Sequence, residues 1–94
     1  MNIRGVIWQR EVVDKLQWKH NITTDEVEEI FDNKPRYRFV ELGDVEGENL
    51  YAALGRSEAG RYLIVYFIRK MTGDALPISA RDMKKRERKS YVQK

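Results

Sequence analysis

Arg81 follows the short apolar run Pro77-Ile78-Ser79-Ala80 and precedes a run of bases, Lys84-Lys85-Arg86-Glu87-Arg88-Lys89. A guanidinium delivered at the end of such a segment suits a phosphate, because it is planar, permanently charged and offers paired donors. If a helix starts at Arg81, the free amides of its first turn favour the same anion. The alternative is an ordinary surface arginine beside Ser79 acting as the N-cap of that helix. The basic run also has two readings, a surface for a polyanion or a solvated helix face. His20 is the single histidine, and imidazole is the side chain whose ordinary pKa suits proton transfer near neutrality. A histidine in the last turn of a helix is, when charged, stabilised by the helix dipole, which by itself is the simpler explanation. Trp8 and Trp18 fit a core or its rim, and an exposed one fits stacking on a base.

Other chemistries lack their residues. The chain has no cysteine, which removes disulfides and thiolate metal sites and suits a reducing cytosol. A lone His20 among scattered carboxylates gives no metal-ligand spacing, so neither a metal nor any other cofactor is expected. A Ser–His–acid set can be drawn from Ser79 and His20, but no G-x-S-x-G elbow supports it. There is no G-x-G-x-x-G and no phosphate-binding P-loop. No segment approaches the roughly 20 apolar residues of a membrane span, and the apolar run in MNIRGVIWQR is too short for a signal peptide. A cytoplasmic protein is expected. With 94 residues, 41% hydrophobic and 35% charged, one domain over residues 1–94 is expected.

The net charge of +3 is unevenly spread. Residues 81–94 hold seven bases against two acids, an excess of five, while the other eleven bases and thirteen acids leave the remainder at −2. All the surplus positive charge therefore sits at the C-terminal end, which points to a polyanion or an acidic protein as partner.

The elements that must position these groups follow from periodicity. IRGVIW fits a short strand, and QREVVDKLQWKH an amphipathic helix with Val12, Val13 and Leu16 on one face. Asn21 stands where a helix end takes a left-handed residue. Thr23 and Glu26 form a capping box for a second helix carrying Val27, Ile30 and Phe31, which Asn33-Lys34-Pro35 ends. RYRFVEL, NLYAALG, RYLIVYFIR and ALPISA read as strands separated by turns at Gly43 to Gly47, at GRSEAG and at Met71 to Asp74. The third is apolar on both faces and so central, while Pro77 confines the fourth to an edge or a late start of pairing. A helix from Arg81 closes the chain. The expected class is α+β: an N-terminal strand, two helices, an antiparallel sheet of three to four strands and a basic C-terminal helix.

Several short pieces stand in a meaningful order: Trp18-Lys19-His20-Asn21-Ile22, Glu29-Ile30-Phe31-Asp32, Gly47-Glu48, Gly60-Arg61, Val65-Tyr66, Ile78-Ser79-Ala80-Arg81, Arg86-Glu87-Arg88 and Tyr91. In order and spacing this set resembles the BrnT-type toxins of bacterial type II toxin–antitoxin modules, over nearly the whole chain. Asn21 replaces a family glycine, Pro77 a β-branched residue, and Ile68 to Gly73 a polar T-x-R segment. The resemblance implies a RelE-like α+β fold, metal-independent cleavage of RNA and neutralisation by a DNA-binding antitoxin that wraps the toxin. The partners implied are an RNA substrate and a nearby-encoded antitoxin of ribbon-helix-helix type, in a higher-order assembly. Such an enzyme uses the 2′-hydroxyl of the substrate as nucleophile, so the protein must position the strand, move protons and stabilise the phosphorane-like transition state. On the resemblance, Arg61 and Arg81 are expected to clamp the phosphate and His20 to transfer protons, with Glu48 as an alternative base. Lys84, Lys85 and Arg88 are expected to contact the RNA backbone, with Tyr91 orienting one of them. This reading requires Arg61, Arg81 and a proton donor to converge. The competing one is a non-catalytic module of the same fold whose basic helix docks nucleic acid or an acidic protein.

Overall fold

Val27 and Ile30 recur at helical spacing and are completely buried, which fixes the face that the second helix turns to the core. The computed structural model describes residues 1–93. Its elements are α1 (Arg10–His20), α2 (Thr24–Asp32), β1 (Arg36–Val45), β2 (Glu48–Arg56), β3 (Tyr62–Arg69), β4 (Ala75–Asp82) and α3 (Lys85–Val92). The strands form one antiparallel sheet in the order β1-β2-β3-β4. The α+β class is the one expected.

The helix ends follow local chemistry. Asn21 ends α1 with φ 53°, in the left-handed region that asparagine tolerates. The capping box of α2 is complete: Glu26 N–H donates to Thr23 Oγ1 and Thr23 N–H donates to Glu26 Oε1, both at 3.1 Å. Between the helices, Ile22 is buried with Leu16.

The two sheet faces are closed differently. Leu63, Val65 and Phe67 of β3 pack with Ala53 of β2 beneath α1 and α2, and Phe31 meets Phe67 edge-on at 5.1 Å. A Cβ on Gly55 would stand 3.0 Å from Ile30 Cγ2, so glycine at this position is what lets α2 lie directly on β2. On the opposite face, Ile64, Ala52 and Leu54 form a smaller cluster with Tyr66, Met83 and Tyr91, covered by α3. The doubly apolar pattern of β3 has its cause in these two clusters.

Two expectations about the sheet margin change. IRGVIW forms only an isolated parallel bridge, Val6 with Ala75. Ala75 N–H donates to Gly5 O and Ile7 N–H donates to Ala75 O, at 2.9 and 2.8 Å. The next bond of a parallel ladder would need an N–H on Pro77, which proline lacks, so the pairing stops there. On its other side Pro77 sits at a bulge, where Tyr66 pairs with Ser79 and Phe67 with Pro77, leaving Ile78 as the extra residue. Further along, β4 continues through Arg81 and Asp82, opposite Ile64 and Leu63, and α3 begins only at Lys85. Ser79 is thus a strand residue and no N-cap, and Arg81 does not start a helix. The ladder to β3, reinforced by Met83 N–H donating to Tyr62 O at 3.0 Å, outweighs the helical propensity of the basic run.

Candidate active site and nucleic-acid face

Arg61 is placed by the loop joining β2 to β3. Ser57 N–H donates to Arg61 O at 2.9 Å, Arg61 N–H donates to Ser57 Oγ at 3.0 Å, and Gly60 takes the left-handed φ of 91° the turn needs. Its guanidinium donates from Nε to Asp82 Oδ1 (2.8 Å), from Nη2 to Asp82 Oδ2 (3.1 Å) and His20 O (3.0 Å), and from Nη1 to Asn21 O (2.8 Å) and Glu26 (3.3 Å). These contacts engage all the donors a guanidinium has. The side chain satisfies the free carbonyls at the end of α1 and ties them to α2 and β4. The Asp82 carboxylate raises the Arg61 pKa, and the Arg61 hydrogen bond in turn holds the Asp82 carboxyl below its usual range, with His20 adding a smaller charge effect. His20 closes α1, half-buried, beside this network.

Arg81 lies on the other face of the sheet. It pairs with Ile64, a residue of the α3-side cluster, whereas Asp82 pairs with Leu63 of the main core. Arg81 Nη1 and Nη2 donate to the two carboxylate oxygens of Glu87 at 2.7 and 2.9 Å, and Nη2 also donates to Tyr66 Oη at 3.2 Å. Among the described residues its Nε–H makes no hydrogen bond. Glu87 accepts the Lys84 N–H as well, at 2.8 Å; lysine has no acceptor to return, so only that half of a capping box forms. The Arg81 hydrogen bonds, helped by Lys84, pull the Glu87 carboxyl down to about 2, and Glu87 raises the Arg81 pKa.

The candidate residues therefore do not converge. Arg61 and His20 stand on the α1–α2 face, while Arg81, Lys84, Lys85, Arg88 and Tyr91 stand on the α3 face or its helix. Glu48 is at the far end of the sheet, where it accepts from Lys70 Nζ at 2.7 Å and Met71 N–H at 3.1 Å and so anchors the turn after β3. The Lys70 hydrogen bond lowers its pKa. The length of β2 separates it from Arg61 by roughly 25 Å at the rise of a strand. Reading Glu48 as a base working with Arg61 or Arg81 is corrected by that distance.

The α3 face gathers further residues. Arg38, Arg56 and Arg81 pair with Ala52, Tyr62 and Ile64, which places them on this face, and Arg36 Nη1 donates to Ser90 O of α3 at 3.3 Å. Arg88 Cζ lies 4.2 Å from the centre of the Tyr62 ring, and Tyr91 meets the same ring edge-on at 6.0 Å. Tyr62 and Arg56 have no local signal; only the strand register, which sets alternate residues on one face, could have singled them out, whereas Tyr66 and Glu87 stand in the resembling pieces Val65-Tyr66 and Arg86-Glu87-Arg88 without a role read for them.

The Glu87 pair predicts an acid sensitivity. A depressed carboxyl contributes stability above its ordinary pKa of 4.5, and that contribution is lost as pH falls through that value towards about 2. Between pH 6 and pH 3 the wild type should lose roughly 5 °C more in melting temperature than Glu87→Gln, as followed by circular dichroism. Equal losses would separate Glu87 from the acid response.

Among the described residues no three of His, Asp and Glu cluster as metal ligands, and no helix is long and apolar enough to cross a membrane. No curated protein matches the chain. Residues 8–87 match the family described as ribonuclease toxin, BrnT, of type II toxin–antitoxin systems. With the match running from Trp8, before α1, to the Glu87 that holds Arg81, the chain belongs to the BrnT family of ribonuclease toxins.

Proposed function

We infer that this toxin cuts RNA as a metal-independent endoribonuclease, by transphosphorylation, and so inhibits translation in the cytoplasm. The observation that carries the reading is the concentration of Arg36, Arg38, Arg56, Arg81 and the α3 bases on one face, among Tyr62, Tyr66 and Tyr91. A basic surface with interleaved aromatics is what single-stranded RNA requires. The substrate's 2′-hydroxyl gives its proton to solvent water as its oxygen attacks the neighbouring phosphorus, the bond to the 5′-oxygen breaks, and a 2′,3′-cyclic phosphate remains. Arg81 supplies fixed positive charge to the pentavalent phosphate, through the Nε–H that Glu87 leaves free. Tyr66, hydrogen-bonded to Arg81, is the hydroxyl placed to protonate the departing 5′-oxygen. With its carboxyl near 2, Glu87 is a weak base and serves to hold Arg81. Lys84, Lys85 and Arg88 contact the RNA backbone. Arg61 and His20 serve the fold, and the chain acts as one domain. The cognate antitoxin, a DNA-binding protein of ribbon-helix-helix type encoded alongside, covers the basic face with an acidic segment in a higher-order complex.

Cleavage should persist in EDTA and leave cyclic phosphate ends. Replacing Lys84, Lys85 and Arg88 together with glutamine should lower the slope of log affinity against log salt by about 2, at roughly 0.7 per phosphate contact on single strands. An unchanged slope assigns those residues to a solvated surface. The second reading, a non-catalytic docking module, is favoured by the Glu87 contacts that occupy both terminal nitrogens of Arg81. RNA binding without any cyclic phosphate product would establish it.

A further inference from the structure

Tyr62 opens β3 on the α3 face; the ladder to Arg56 and the Met83 N–H on its carbonyl fix its backbone, and its ring meets the edge of Tyr91 at 6.0 Å and the Arg56 guanidinium at 5.3 Å. Arg88 covers the ring at 4.2 Å. Among the described residues the Arg88 side chain makes no hydrogen bond and no ion pair, so the aromatic face is its one specific contact. It is exposed, on the helix turn that also carries Lys85 and Lys89. Beside it lies a cleft of about 590 Å³, bounded by Tyr62, Val92 and the stems of Lys85, Arg88 and Lys89. Val92 presents an exposed apolar side chain there.

We propose that Tyr62 is a stacking platform for one unpaired RNA base, which takes the place of the Arg88 guanidinium and settles into this cleft. The inference rests on the reading of the α3 face as the RNA surface, and adds to it a base subsite. A rigid ring, a flat cation resting on it with no other partner, an apolar wall and a rim of ammonium groups are the parts a base and its flanking phosphates need. Once displaced, Arg88 is free to meet a phosphate. Tyr62 and Ile64 share a face, and Arg81 pairs with Ile64, so the two sites lie within roughly 10 Å. A base on Tyr62 thus sits beside the phosphate at Arg81, and would select where along a strand the cut falls.

The experiment uses 2′-O-methyl decaribonucleotides, which lack the nucleophile, each with 2-aminopurine at one position and a terminal fluorescein. Anisotropy of the fluorescein reports binding, and quenching of 2-aminopurine reports stacking. With wild type, saturating protein should quench at one or more positions. Tyr62→Trp should retain the quenching, and Tyr62→Leu should abolish it while binding weakens about tenfold. Quenching that survives in Tyr62→Leu, or is absent in wild type although anisotropy shows binding, overturns the proposal. If wild type gives no anisotropy change at all, the RNA-surface reading itself falls. Should Tyr62→Leu fail to fold, the added indole of Tyr62→Trp decides: its emission must change, relative to wild type, on adding the plain decamer, and an unmoved emission with binding intact again overturns it.

Discussion

Arg81→Lys should lose at least about a hundredfold in the rate of RNA cleavage, the scale set by removing one preorganised donor from a transition-state oxyanion. Lysine keeps the charge and can keep an ion pair to Glu87, so α3 stays docked. It loses the planar fork that engages both Glu87 oxygens and Tyr66 at once while leaving Nε–H to the phosphate. Melting temperature should therefore change by only a few degrees while activity collapses. The measurement is cleavage of a single-stranded RNA under single-turnover conditions, with melts alongside and growth arrest on induction as a cellular counterpart. An Arg81→Lys protein as active as wild type would show that Arg81 merely fastens α3. Ser79→Ala, a strand substitution without a cap to lose, should be close to silent in both measurements.

Arg61→Met should have the opposite profile. It removes the donors that satisfy His20 O and Asn21 O at the end of α1 and leaves Glu26 without its cation. Hydrogen bonds to a charged group contribute more than neutral ones, but Asp82 is largely solvated and recovers water. A loss of about 2–3 kcal/mol is expected, and with it a fall of roughly 10–20 °C in melting temperature. Residual cleavage, measured well below the new transition, should remain within about threefold of wild type, because no part of Arg61 faces the RNA surface. A variant that melts like wild type yet does not cleave would return Arg61 to the reacting set.

Much of the fold is legible because its signals are local. Thr23 and Glu26 find each other within one helical turn, Asn21 needs only its own backbone preference, and Pro77 announces an edge by what it lacks. The end of β4 is not legible in this way. SARDMKKRERK favours helix by composition, and what keeps Arg81 and Asp82 extended is pairing with Ile64 and Leu63, far away in sequence. The site suffers from the same non-locality. That Arg61 and Arg81 belong to opposite faces depends on which residue of β4 stands opposite Leu63, and a slip by one residue would reverse it. Glu48 precedes NLYAALG and Arg61 follows the turn, so the hairpin alone sets them at opposite ends of β2, and only the family resemblance of Gly47-Glu48 speaks for Glu48 as a base. Tyr62 and Tyr66 are illegible for a simpler reason: in a strand such as RYLIVYFIR they read as core, yet both remain half-buried on the α3 face.

Asp82 reaches both layers from a single strand end, its carboxylate held by Arg61 and its carbonyl accepting Arg81 Nη1 at 3.2 Å. If the last residues of β4 fray from β3, the fastening of α1 to α2 and the seat of α3 come undone in the same event. The C-terminal helix is then no independently opening unit, although its burial is slight. Its opening free energy is tied to that of the opposite layer, so a small domain gains cooperativity from a residue outside either hydrophobic cluster.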